Sequence, residues 1–577
     1  VDEPRRTAVV TGSAAAVAFA VVAVFFVLPY LTQDVAYPLG WDSPFYVWRS
    51  AAVGVDGLAR IGGIRPATPL LFHALDALTG EGPFTIAAIA PALFAATAGL
   101  AAAGLLRAAF GIGAAWVPVV ALIAWMGFGH PGMVREQPDN VLNAALVLAA
   151  FAAAVTFVRG GRGWTATLLA LIGAGLAHWP FFALAIGVLG LAVLLFGGRR
   201  LLRPGEDGAV RRARALLGAG AAAAGVVGAG ALWRPAAAWT APRLSELRDI
   251  LADRFRRRIG DGFRVPVLPL AGLGLAVASR RRDRPERRLF LCLMVAWLVL
   301  TAVGVALQAA GVPTAGIRLL NNLFPLTLLA AVLVWYLGTT LGGRWAMAIT
   351  AAVLVGLGAL AVPFQLHGRA WYEPAAVEQA AAAGAWLQAN APDATIGFVL
   401  APTRDRLSRE RWRNTILAAL PPAVAARTVV DQAPDADVLV AIAAYNPKGG
   451  EALLARGGRP ITSHVVALGA IPADAPVGAS PPGPSADTRS RAIAFVLILG
   501  ALALWASGLG WSLALLPADP LLVWTLAPAL GCAATAILGV AWAALGLPLD
   551  GAAGAGPLAL AAVTGTGAAL LRRSRPG

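Results

Sequence analysis

The chain has 577 residues, 58% of them hydrophobic and only 13% charged, and its mean hydropathy is +0.72. A soluble globular chain of this length needs far more polar surface, so that class is excluded, and disorder with it. The formal net charge of +16 would suggest nucleic acid in a soluble protein, but here the basic residues follow the membrane pattern, and nucleic acid is not an expected partner.

Apolar stretches of about 20 residues recur from end to end, the length of a helix that crosses a bilayer. Backbone in lipid must satisfy its own hydrogen bonds, so helices are expected and a barrel is a poor reading. The expected fold is a polytopic α-helical membrane protein of about 14 transmembrane helices with a small extracytoplasmic α/β domain. Three regions follow: a membrane module over 1–363, the outer domain and its linker over 364–490, and further membrane helices over 491–577.

The first span, 8–30, reads as a retained anchor rather than a cleaved signal. The loop 31–83 holds "GWDSPFYVWRS", residues 40–50. Asp42 lies there among Trp41, Phe45, Tyr46 and Trp48, with Arg49 beside them. Trp and Tyr commonly mark the headgroup layer, which is the plain reading of this motif. The sharper reading is a carboxylate in an interfacial cleft, made more basic by desolvation, that takes a proton from a sugar hydroxyl. Arg65 and His73 fall in the same loop and are expected near its mouth.

Spans at 84–108, 114–130 and 138–157 follow, with a tight turn at 131–137. "GHPGMVREQPDNVLNAAL" crowds His130, Arg135, Glu136, Asp139, Asn140 and Asn143 at one end of two spans. Ionisable groups at such depth are functional suspects. Helix capping also accounts for Asp139 or Asn140. Arg135 suits a phosphate, or a pairing with Glu136 or Asp42. The stretch 164–197 is read as two short helices, 164–178 and 180–197, broken at His178-Trp179-Pro180. One long tilted helix is the alternative, and it would invert everything downstream. His178 is either a packed core histidine or part of the same polar cavity.

Further spans are expected at 213–233, 265–279, 289–309, 320–339, 345–363, 491–514, 520–545 and 554–571. The segment 234–264 reads as an amphipathic helix on the bilayer surface. In "AGIRLLNNLFP", Arg318 precedes a span, with Asn321 and Asn322 below it. A guanidinium there suits a lipid phosphate, and snorkelling is the alternative. The segment 364–490 has helix signals at 374–390, 408–420 and 450–456 and strand signals at 395–400, 436–443 and 464–471. A small α/β domain fits, joined to the membrane by a Pro/Ser/Gly linker. The two cysteines, Cys292 and Cys532, both lie in apolar runs and suggest no disulfide framework.

With the N-terminus in the cytoplasm, nearly every arginine cluster falls on the cytoplasmic side. These are Arg107, Arg159 with Arg162, the groups at 199–212 and 280–288, Arg344 and Arg572-Arg573-Arg575. Only the turn at 515–519 is mute. No cluster resembles a metal site, and no metal is assigned; a divalent cation bracketed by Asp42 and Asp139 is left open.

These residues resemble the GT-C superfamily of membrane-embedded glycosyltransferases over roughly 8–363. The resemblance rests on an acidic first external loop, "GWDSPFYVWRS", a polar cluster at the third-to-fourth span turn, "REQPDNVLNAALVL", and a late arginine, Arg318. The three spans after the outer domain are more similar to the larger actinobacterial cell-wall arabinosyl- and mannosyltransferase types. The resemblance implies an inverting enzyme of the bacterial plasma membrane. It would move a sugar from a polyprenyl-phosphate donor to a cell-envelope glycan or glycolipid acceptor. Asp42 is the implied base, with Glu136 and Asp139 beside it among the catalytic group. Trp41, Tyr46, Arg49, Arg65, His130, Arg135, His178, Arg318, Asn321 and Asn322 are the implied substrate-binding set. Membrane lipids are further partners, and the lipid-linked donor is substrate rather than cofactor. A transporter or flippase for lipid-linked sugars, or a non-catalytic envelope-assembly protein, are the competing readings.

Overall fold

The computed structural model describes residues 2–33, 35, 37–40, 42–58, 65–126, 130–202, 207–232, 267–310, 319–366, 372–403, 406–430, 435–478 and 486–574. The membrane module comprises α1 (Asp2–Thr32), α2 (Ser43–Asp56), α3 (Ala67–Thr79), α4 (Pro83–Phe110), α5 (Val117–Ile123), α6 (His130–Glu136), α7 (Pro138–Gly160), α8 (Trp164–Ala177), α9 (Trp179–Gly197), α10 (Gly208–Leu232), α11 (Val267–Arg280), α12 (Pro285–Ala309), α13 (Phe324–Leu341) and α14 (Gly343–Leu366). The α/β domain, called the outer domain after the side expected from sequence, runs α15 (Pro374–Asn390), β1 (Ile396–Phe398), α16 (Arg406–Ala419), α17 (Pro422–Ala426), β2 (Thr428–Val430), β3 (Val438–Ile442), α18 (Pro447–Ala455), β4 (Arg459–Thr462) and β5 (Val465–Gly469). The chain then re-enters the bundle as α19 (Ala486–Leu515), α20 (Pro520–Ala544) and α21 (Gly556–Ser574).

Among the described residues, nine helices are long and apolar enough to cross a membrane. Every other segment expected to span is helical too, but α5, α8 and α11 are short, and α10 and α14 are not among the nine. The protein is therefore a polytopic helical membrane protein, and length and hydropathy alone do not carry the count to fourteen. The span expected at 114–130 stops at Ile123, and the expected tight turn at 131–137 is instead the helix α6. The segment 234–264 lies outside the described residues.

Helices α4 and α7 form the centre of the bundle, each with 94% of its apolar window buried. Their alanine-rich faces let the backbones approach closely, which is how helices associate in lipid, where apolar burial gives no drive. The same logic joins α19 to α20. A β-carbon on Gly508 would stand 1.7 Å from the Ala527 carbonyl oxygen, so only glycine fits there.

The arginines gather at one end of this bundle and satisfy carbonyls that helix ends leave unbonded. Arg159 donates to the Ala108 carbonyl and Arg212 to that of Val158. Arg288 donates to Phe196, and Arg572 to Leu513, Ala514 and Leu516. Arg107 closes the end of its own helix on Gly111 and Ile112 and pairs with Asp519 at 2.9 Å. The 515–519 turn, which carries no basic residue of its own, is thus held by an arginine through Asp519. Both α4 and α7 have their C-termini in this layer and their N-termini at the site described below. At 1.5 Å per residue, α7 separates the two by about 35 Å.

The outer domain is a five-stranded sheet of order β2-β1-β3-β5-β4. β1 runs parallel to β2 and β3, whereas β5 is antiparallel to β3 and β4. The three strands expected from sequence are present. β2 and β4, short and carrying little hydrophobic alternation, were not legible. The domain has its own core, built on Phe398, Val440, Ile442, Ile416 and Trp386. Its α16 and α17 pack on α2. Trp48 touches the membrane core, the domain core and the small cluster around Val53 and Leu70.

Candidate active site

The first loop supplies one wall. Leu39 donates its backbone N–H to the Tyr30 hydroxyl at 2.7 Å, turning the chain back over α1. Gly40 follows with φ 114°, and a β-carbon there would meet the Arg135 carbonyl oxygen at 2.1 Å. Glycine is therefore required both by its left-handed backbone and by its contact with α6. Asp42 stands at the start of α2, where Pro44 suits the first turn. Its carboxylate does not cap the helix and is half-buried. Ser43 donates to the Gly40 carbonyl at 2.9 Å and lies 3.2 Å from the Tyr372 hydroxyl at the entrance to the outer domain. The rings of Tyr37, Phe84 and Tyr372 meet pairwise, with centroids 5.6–5.9 Å apart. Loop, bundle and domain are thereby pinned together.

The second wall is the N-terminus of α7. Asp139 is 1% exposed, and an acid so deep must be paired. Arg65 reaches it at 2.5 Å. Tyr46 hydrogen-bonds the same carboxylate, and Asn140 donates its backbone N–H at 2.9 Å. His178 Nε2 lies 3.8 Å away. The His178 Nδ1 takes the Phe181 backbone N–H at 3.4 Å, which leaves the ring proton on Nε2, facing Asp139.

That placement of His178 follows from the helix break. Its extended backbone, φ −158° and ψ 100°, separates α8 from α9, as the sequence predicts from Pro180. Across the break Asn143 donates to the carbonyls of Ala174 at 2.8 Å and His178 at 3.2 Å, each of which also accepts a backbone N–H. Asn143 is thus a structural brace, and Asn140 turns its side chain to Gln137.

Charge in the site is tightly balanced. Burial drives the Tyr46 hydroxyl well above its ordinary pKa, with Asp139 adding to the effect. Burial opposes the charge on Arg65, but Asp139, Tyr46 and Asp42 outweigh it and the pKa rises. Arg65 therefore pairs with Asp139 and feels the charge of Asp42 as well. Among the described residues no three His, Cys, Asp or Glu side chains gather as a metal site.

Comparison with known proteins yields likeness only in structure. No protein-family profile matches the chain, and no curated protein is similar to it in sequence. Among solved structures, ArnT from Cupriavidus metallidurans bound to undecaprenyl phosphate is 14% identical, with a TM-score of 0.47 over 78% of this chain and 97% of that one. The Archaeoglobus fulgidus oligosaccharyltransferase is 12% identical, with a TM-score of 0.44 over 74% of this chain and 68% of that one. The arabinofuranosyltransferase AftD from Mycobacteria is 17% identical, with a TM-score of 0.42 over 66% of this chain and 30% of that one. At these TM-scores the overlays assign no residue roles.

The structure brings Asp42, Tyr46, Arg65, Asp139 and His178 into one site. Arg49 lies on the same helix as Tyr46, stacked over Phe45 at 3.7 Å. Glu136 is exposed at the end of α6 and does not enter the buried cluster. Arg135, half-buried beside it, has its pKa lowered by burial, against the pull of Tyr30 and Glu136. The turn Leu320–Asn322 packs beside α6, with Asn322 buried. Trp41 and Arg318 lie outside the described residues, as do the side chains of His130 and Asn321. Sequence reasoning missed Ser43, Tyr372 and Asn414. The aromatic pair at 371–372, where the chain leaves the membrane, was the available signal for Tyr372.

Proposed function

We propose that the protein is an inverting glycosyltransferase that moves a sugar from a polyprenyl-phosphate donor to a cell-envelope glycan or glycolipid acceptor. The observation that carries this reading is the placement of Asp42. It is a half-buried carboxylate at the loop–membrane boundary, in electrostatic reach of Tyr46 and Arg65. Beneath it, Asp139 fixes both of those groups and faces His178.

In this reaction Asp42 accepts the proton of an acceptor hydroxyl, and the oxygen attacks the anomeric carbon from the face opposite the phosphate. The bond from that carbon to the phosphate oxygen breaks, and polyprenyl phosphate leaves with the electron pair. Arg318 and Arg135 meet the growing negative charge. Asp139 is a positioning residue: it holds Arg65, Tyr46 and the His178 ring so that the Arg65 cation stays within electrostatic reach of Asp42. Glu136, exposed at the rim, and the turn around Asn322 border the acceptor and donor paths. Under the positive-inside rule the arginine layer lies in the cytoplasm. The site and the outer domain then face outward from a bacterial plasma membrane.

The test is sugar transfer by the purified full chain in nanodiscs, with radiolabelled polyprenyl-phosphate sugars and an envelope-glycan extract, beside Asp42→Asn. Transfer by the native chain that is lost in the variant, with donor binding kept, is the expected result. Movement of lipid-linked sugar between leaflets without transfer would replace this reading with a transporter.

A further inference from the structure

Arg49 is used by none of the contacts that hold the site together. Its guanidinium lies 3.7 Å above the Phe45 ring and 5.5 Å from that of Trp48. Its Nε is buried without a hydrogen-bond partner, and no described carboxylate pairs with it. Burial lowers its pKa to about 10, and Arg65 and Arg413 push the same way against Tyr46 and Asp139. A desolvated guanidinium with no carboxylate against it is costly to keep. Here it is crowded by cations as well.

One of those cations comes from the outer domain. Arg413 is exposed on α16, next to Asn414, whose side-chain oxygen accepts from the Trp48 indole at 3.2 Å. Trp48 of α2 thus meets Asn414 of α16, and the residues beside them, Arg49 and Arg413, lie within electrostatic reach of each other. Asp139 pairs directly with Arg65 and reaches Arg49 only through space, so the seam between the two helices holds two guanidinium groups beside an aromatic surface.

We propose that this seam binds an anionic group of the acceptor, a phosphate or carboxylate on the glycan, through Arg49 and Arg413. The proposal rests on the glycosyltransferase reading and names its acceptor class. Both anions present oxygens that match the planar donors of a guanidinium. The anion belongs to the acceptor because half of the seam is built by the outer domain rather than by the bundle. The donor's phosphate stays at headgroup level with its lipid chain. Phe45 and Trp48 offer the apolar surface against which a sugar ring packs.

The full chain in phosphatidylcholine nanodiscs, which carry no net charge, is titrated with three probes by thermophoresis. They are oligogalacturonate, a mannose 6-phosphate-terminated oligosaccharide and a neutral oligosaccharide of equal length. The charged probes should bind about tenfold or more tighter than the neutral one, an advantage that high salt erodes. Arg413→Glu, an exposed change that leaves the core intact, and Arg49→Gln should each remove it. Polyprenyl phosphate binding should stay unchanged in both variants. Equal binding of charged and neutral probes, or charged binding that survives Arg413→Glu, would overturn the proposal. So would a matching loss of polyprenyl phosphate binding, which would give the anion to the donor. Because binding is the readout, such a failure is separable from failure of the transferase reading, which Asp42→Asn tests by turnover.

Discussion

Arg65 and Asp139 meet at 2.5 Å although 74 residues separate them in the chain. Their pairing ties the first loop to the central helix α7, and Asp139 carries Tyr46 and faces His178 at the same point. Removing one member of a buried pair leaves the other desolvated and costs about 3–5 kcal/mol, whereas removing both can be nearly neutral. Arg65→Met should therefore lower the apparent melting temperature in detergent more than the double variant Arg65→Met/Asp139→Leu. A double variant less stable than either single one would mean that the pair is not an isolated unit. Transfer should be lost in Arg65→Met, in Asp139→Leu and in the double variant.

Trp48 is the hinge-pin between the outer domain and the bundle. Trp48→Phe keeps most of the packing and loses only the bond to Asn414, a cost of about 1 kcal/mol. Trp48→Ala also opens a cavity among three hydrophobic clusters and should cost about 3 kcal/mol. Brief trypsin treatment checks this through cleavage after Arg409, Arg411 and Arg413 on α16, which should accelerate in Trp48→Ala but not in Trp48→Phe. Equal cleavage of the two variants would count against the packing role.

Alkaline pH should destabilise the protein. Burial raises the hydroxyl pKa of Tyr46 and of Tyr372 well above the ordinary value, which is about 10 in an unfolded chain. Above that pH the unfolded chain releases protons that the folded chain keeps, so stability falls as pH rises. Arg49, lowered to about 10, acts in the opposite sense over the same range because the folded chain releases its proton first. Melting temperatures measured from pH 8 upward should drop beyond about pH 10, and Tyr372→Phe should lessen the drop. An unaltered slope in that variant would remove Tyr372 from the account.

At the far end, Asp519 both caps α20 and pairs with Arg107. Asp519→Ala should cost about 1–2 kcal/mol, mostly from the lost cap. Asp519→Asn, which still caps, should cost less, and melting curves separate the two. Transfer should survive both changes, because the site lies across the bundle.

The sequence by itself determined what depends on local sums and local rules. Hydropathy over about 20 residues marked the helical membrane class. The change of composition after 363 marked the outer domain. Pro180 marked the break between α8 and α9 because proline fits the first turn of a helix but not its interior, where it lacks an N–H and clashes with the preceding turn. Polar residues in apolar surroundings pointed to Asp42, Asp139 and His178, since their burial needs a reason.

Only the tertiary structure decided which of these groups meet. No periodicity or motif links Arg65 to Asp139, or Trp48 to Asn414, because such pairs arise when the chain is packed, not when it is read. Glu136 and Asp139 stand three residues apart, yet one ends a short helix in the open and the other lies in the first turn of one of the two most buried long helices described. Arg49 and Arg65 look alike in sequence, and burial against an acid or against aromatic rings alone distinguishes them. The charges were legible; their desolvation and their partners are properties of the folded chain.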